Sequence, residues 1–188
     1  MNIANIVKYI LLTALVMVVG MFLHYNLPRT DVVQFTGTDV KRMDRKDPNT
    51  GSSTRDVRYL NAITRTGKIR VFRNEDTGWG WPPYFKFDSA DLSAEVQSLV
   101  QNPDKPWARV RYYGWRIKMI SVFPNAISVK VVDKNYTHIP WFNIIFVTLL
   151  VIGLIFAIRF FRALIGRLDL GERFREIGRS ADDHNNQK

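Results

Sequence analysis

Ile139 to Ile158 is a run of twenty residues without a charge, and it constrains this chain more than any other feature. About 20 consecutive apolar residues make a helix long enough to cross the hydrocarbon core of a bilayer. Such a helix satisfies its own backbone groups, which lipid cannot do. Pro140 suits the first helical turn, where a missing N–H costs nothing. Trp141 and Phe142 mark one membrane–water interface. Arg159, Arg162, Arg167, Arg173 and Arg175 follow the run, against only Lys130 and Lys134 near its other flank. This bias predicts a cytoplasmic C-terminus, with Arg159 and Arg162 as interface anchors.

A second apolar run lies between Ile3 and Leu23. Its uninterrupted part, Tyr9 to Leu23, is short for a span, but Ile3, Ile6 and Val7 lengthen it. Lys8 then sits near the end and can snorkel to the interface. A cleaved signal peptide is the competing reading. Met21-Phe22-Leu23-His24-Tyr25 offers no small-x-small cleavage site, so an uncleaved anchor is expected, with Tyr25 at its interface. Two spans place both termini in the cytoplasm. The expected division is a first transmembrane helix over 1–23, an extracytoplasmic β-rich domain over 24–138, a second helix over 139–160 and a cytoplasmic tail over 161–188. In the tail, Phe160, Phe161, Leu164, Ile165 and Leu168 recur near helical spacing among arginines, predicting a basic amphipathic helix.

The net charge of +10 belongs mostly to the middle: His24 to His138 carries 19 Lys and Arg against 12 Asp and Glu. A basic domain beside a bilayer is drawn to anionic headgroups or an acidic partner; the alternative is solvated charge that aids solubility. The chain has no cysteine, which excludes disulfides, thiol catalysis and cysteine-bound metal centres.

Within the middle, Val32–Met43 reads as a strand and Asp44–Thr54 as a polar loop. Val57–Thr64 and Ile69–Phe72 form a hairpin about Arg65-Thr66-Gly67-Lys68. Asp88 or Ser89 caps a helix whose apolar face is Leu92, Val96, Leu99 and Val100. Trp107–Tyr113 and Ser128–Val132 are further strands, with Gly114 as a kink or bulge and Pro124-Asn125 as a turn. The order strand, strand, strand, helix, strand, strand is that of a five-stranded barrel of the oligonucleotide/oligosaccharide-binding (OB) type. Another small α+β sandwich fits nearly as well.

The densest aromatic stretch is Thr77-Gly78-Trp79-Gly80-Trp81-Pro82-Pro83-Tyr84-Phe85-Lys86-Phe87. A loop stiffened by proline could grip a partner, a lipid headgroup or a sugar with Trp79, Trp81, Tyr84 and Phe85. The alternative is that its rings pack beneath it as core. Arg73, Glu75, Asp76 and Asp88 surround the stretch; surface ion pairing outweighs a metal or acid–base role. His24 and His138 fall at the outer ends of the two spans. Together they make a thin case for a metal or haem, and interfacial placement is the simpler account. No cofactor is expected, and no Gly-x-Ser-x-Gly elbow or nucleophile–base pair is present. An extracytoplasmic domain also has no access to nucleic acid.

The stretch from Arg73 to Leu92 resembles the domain-of-unknown-function family 1523, of alphaproteobacterial membrane proteins. The similarity extends to Arg111-Tyr112-Tyr113-Gly114-Trp115-Arg116, Phe123-Pro124-Asn125-Ala126 and Ile139-Pro140-Trp141-Phe142-Asn143. The resemblance implies the inner membrane of a Gram-negative bacterium, hence a periplasmic middle domain, and supplies no catalytic residue. The expected function is a non-enzymatic accessory or scaffold protein whose periplasmic domain docks on a larger membrane or envelope complex. Its expected partners are the lipid bilayer and another inner-membrane or periplasmic protein. The alternative is a lipid- or glycan-binding module that uses the Trp79–Phe87 loop.

Overall fold

The computed structural model describes residues 3–47 and 51–185, and of these the side chains at 4, 43–47, 51–55 and beyond Gly166 are not described. The chain divides into two units, residues 1–139 and 140–188. The first opens with helix α1 (Ile3–Asn26) and continues as strands β1 (Arg29–Asp47), β2 (Gly51–Thr64) and β3 (Ile69–Asn74). Helix α2 (Ser89–Gln101) and strands β4 (Trp107–Tyr113) and β5 (Asn125–Val131) complete it. The second unit is helix α3 (Trp141–Asn185). Segments Asn5–Asn26 and Trp141–Gly166 are long and apolar enough to cross a membrane, with mean hydropathies of 2.4 and 2.8.

The strands close into a barrel in the order β1-β2-β3-β5-β4. Neighbours run antiparallel except β3 and β5, which meet in parallel at Arg73 and Asn125. The five strands with a helix between the third and fourth are therefore present in the order expected. Period-two alternation fills the interior: Val33 and Phe35, Leu60 and Ala62, and Ala108, Val110 and Tyr112 all point inward. Leu92 and Val96 of α2 cover one end of this core, and Leu99 and Val100 pack against it. Phe72 is fully buried and meets Tyr112 at 5.1 Å between ring centroids.

Four local expectations change. The polar stretch 44–54 is not a loop: β1 runs on to Asp47 and β2 begins at Gly51, paired in register from Arg42↔Asp56 to Asp47↔Gly51. Residues 48–50 lie outside the described residues. Among the described residues the strands of this arm pair only with each other, and their sequence carries no apolar alternation to mark them as strands. Asn125 opens β5 instead of turning before it. The bulge near Gly114 falls earlier, between Arg111 and Tyr112, where the register with β5 shifts. Gly114 itself sits at φ +89, conformation that favours glycine, and donates its N–H to the Tyr25 carbonyl at 2.9 Å. Finally, α2 is not capped by Asp88, whose side chain makes no capping bond. Asp76, from the preceding loop, takes that role.

Candidate functional aromatic loop

Residues 75–88 leave β3 and reach α2 without regular structure, yet nearly every polar group at the base of the loop is engaged. The Asn125 side chain accepts the Glu75 N–H and donates to the Glu75 carbonyl, both at 2.9 Å. It also donates to the Tyr113 hydroxyl at 3.2 Å. Arg73 forms an ion pair with the buried Glu75 carboxylate and donates its backbone N–H to the Pro124 carbonyl. Asp76 accepts the N–H and the hydroxyl of Ser89, each at 2.8 Å, and so caps α2 from thirteen residues upstream. Of the acidic residues singled out by sequence, Glu75 is ion-paired and Asp76 is a cap.

The neck of the loop is closed by Thr77 and Lys86. The Lys86 carbonyl accepts the N–H groups of Thr77 and Gly78, and Thr77 Oγ1 accepts the Lys86 N–H. The Lys86 side chain is buried. Its ammonium donates to Asn74 Oδ1 and, at 2.8 Å, to the Ala126 carbonyl. Asn74 in turn donates to the Ser89 carbonyl and the Ser93 hydroxyl, each at 2.7 Å. One lysine thereby ties the loop to β3, β5 and α2. Burial pushes its pKa down to about 8, against the pull of Asp88 and Asp76.

Above this braced neck the rings turn outward. Trp79 is 82% exposed, Trp81 67%, Phe85 54% and Phe87 57%. The alternative that these rings form core is therefore overturned, because the barrel interior is already filled by its strands and α2. Trp79 packs edge-on against Phe85 and Phe87 at 5.4 and 5.6 Å. Phe85 adopts φ +50, uncommon for a bulky residue. Tyr84 alone turns inward: it stacks on Tyr113 at 5.0 Å and donates its hydroxyl to the Asn26 carbonyl. Burial raises its pKa to about 12.

The end of α1 is part of this cluster. Phe22 stacks on Trp81 at 5.7 Å. Tyr25 meets Tyr113 and Trp115 edge-on, and the Trp115 indole donates to His24 Nδ1 at 2.7 Å. His138 stacks on Tyr136. Among the described residues no three His, Cys, Asp or Glu side chains form a metal-binding group. In the other unit, Trp141 opens α3, and Trp141, Arg159 and Arg162 are all exposed.

Sequence reasoning missed Lys86, Asn125, Phe22 and Trp115. Lys86 carried a signal, a lone charge between Phe85 and Phe87 in an apolar stretch. Asn125 carried none, since Glu75 lies fifty residues and Tyr113 twelve residues before it.

A family model described as a protein of unknown function (DUF1523) matches residues 5–164. The chain is 46% identical over 119 residues to an uncharacterized protein of Haemophilus influenzae. The match covers 61% of this chain and 67% of that protein. No solved structure matches the chain.

Proposed function

This chain belongs to the DUF1523 family, and we propose that it is a non-enzymatic accessory or scaffold protein of the bacterial inner membrane. In this reading α1 and the first part of α3 span the bilayer, both termini are cytoplasmic, and an OB-like barrel stands in the periplasm. The barrel docks on a larger membrane or envelope complex. The observation that carries the reading is the β1–β2 arm. From the pair Arg42↔Asp56 outward its two strands pair only with each other among the described residues. Six register pairs make it about 20 Å long. Unpaired backbone groups on both edges are the template for strand addition by a partner, and a two-stranded ribbon alone in water is marginal.

Crosslinking mass spectrometry in intact membranes tests this. Crosslinks from Lys41 and Lys46 to one other envelope protein are expected, lost when residues 43–54 are replaced by a two-residue turn. A chain that crosslinks only to itself, with or without the arm, would refute the docking role.

The exposed loop favours a second reading, a lipid- or glycan-binding module. Four outward rings on a neck fixed by Lys86 and Asn125 make a rigid apolar contact surface that does not depend on the arm.

A further inference from the structure

Two segments of the barrel grip the last turn of α1, and both carry exposed apolar side chains. The first is the aromatic loop, through the stack of Trp81 on Phe22. Phe22 lies four residues before the end of α1, so Trp81 reaches about 6 Å back along the helix from which the barrel hangs. The second begins at Trp115, bonded to His24, and continues as a small hairpin closed by the pair Ile117↔Val122. At its tip Met119 is 96% exposed and Ile120 67%. Arg116 lies over the Phe123 ring at 4.0 Å and donates to the Ile117 and Val122 carbonyls, which holds its cation beside the tip. Lys118 is exposed next to it.

We propose that the Trp79–Phe87 loop and the 115–122 hairpin are one membrane-seating face, entering the headgroup layer of the bilayer that α1 crosses. The occupant is phospholipid. Three observations choose it over a sugar or a protein. The face is continuous with the apolar surface of α1 through Phe22. Its exposed side chains combine Trp, which favours the membrane interface, with purely apolar Met and Ile. The charges on its hairpin, Arg116 and Lys118, are cations suited to lipid phosphate. The inference rests on the reading that α1 spans a membrane, and it deepens the second reading above by naming the ligand class. It also gives the barrel a fixed attitude, with the loop side toward lipid and the far end of the β1–β4 ladder toward solvent.

The absence of native cysteine makes the test direct. Single variants Trp79→Cys, Phe85→Cys and Met119→Cys in the full chain are spin-labelled and reconstituted into vesicles of phosphatidylethanolamine and phosphatidylglycerol. Val16→Cys in α1 and Asp104→Cys are controls. Asp104 adjoins Lys105, whose carbonyl accepts a bond from Gln34 at the ladder end away from α1. Collision with oxygen relative to a water-soluble nickel chelate should be several-fold higher at 79, 85 and 119 than at 104, approaching the value at 16. If 79, 85 and 119 match 104 while 16 reads as lipid-buried, the seating face is wrong and the span stands. If 16 also reads as water-exposed, membrane anchoring itself fails. Spin–spin broadening with low oxygen collision would mean that a second copy covers the face, and this too overturns the proposal. The positions are exposed enough to tolerate a label, and retained far-ultraviolet circular dichroism checks the fold.

Discussion

Lys86 holds its ammonium between Asn74 Oδ1 and the Ala126 carbonyl, where water would otherwise solvate it. Its folded pKa, about 8, lies below the ordinary 10.5. Between those values the unfolded chain binds the extra proton, so stability rises with pH from about 8 toward 10.5. Tyr84 and Tyr112 act in the opposite sense. Burial raises both to about 12, so above pH 10 the unfolded chain loses phenolic protons that the folded chain keeps, and stability falls. Denaturant unfolding of the detergent-solubilised protein should therefore show a stability maximum near pH 10. Lys86→Met should abolish the rise between 8 and 10. At pH 7 it should also cost about 1–3 kcal/mol, because two buried acceptors lose their donor. A variant that keeps the rise between pH 8 and 10 would show that Lys86 is not the titrating group.

For α2, the helix start is decided by a residue outside the helix. Asp76 bonds both the N–H and the hydroxyl of Ser89, whereas the Asp88 side chain makes no cap. Asp76→Ala should lower stability by about 0.5–2 kcal/mol, and Asp88→Ala should stay within about 0.5 kcal/mol of the parent. Parallel thermal melts separate the two, and equal losses would contradict the assigned cap. The apolar face of α2 was legible in its sequence because Leu92 and Val96 repeat at helical spacing. The cap was not, because a carboxylate thirteen residues upstream has no local signature. The β1–β2 arm shows the same limit for strands. Residues 42–47 and 51–56 carry no apolar period-two alternation, so nothing local in their sequence marks them as strands.

At the scale of the whole chain, the two apolar segments and the arginines after Ile158 predict its orientation. Alkaline phosphatase fused after Lys134 should be active, and the same enzyme fused after Lys188 inactive. A fluorescent protein at Lys188 should fluoresce. Phosphatase activity at Lys188 would reverse the topology and remove the periplasmic assignment of the barrel, while leaving its fold intact.

The sequence by itself determined the two long apolar helices, the run of three strands, helix and two strands, and the aromatic density around Trp79 and Trp81. These properties are written in hydrophobic spacing and length, which act locally along the chain. Only the tertiary structure decided which aromatic rings face outward. Strands β1 to β5 and α2 fill the barrel without them, and that volume is set by residues distant in sequence. It also decided that Phe22 meets Trp81, that Asn125 and Lys86 fix the neck of the loop, and that Trp115 returns to His24. Most of these contacts join segments separated by forty residues or more, as Lys86 with Ala126, Asn125 with Glu75 and Trp115 with His24 do. Their formation depends on barrel closure, and no periodicity or propensity encodes it.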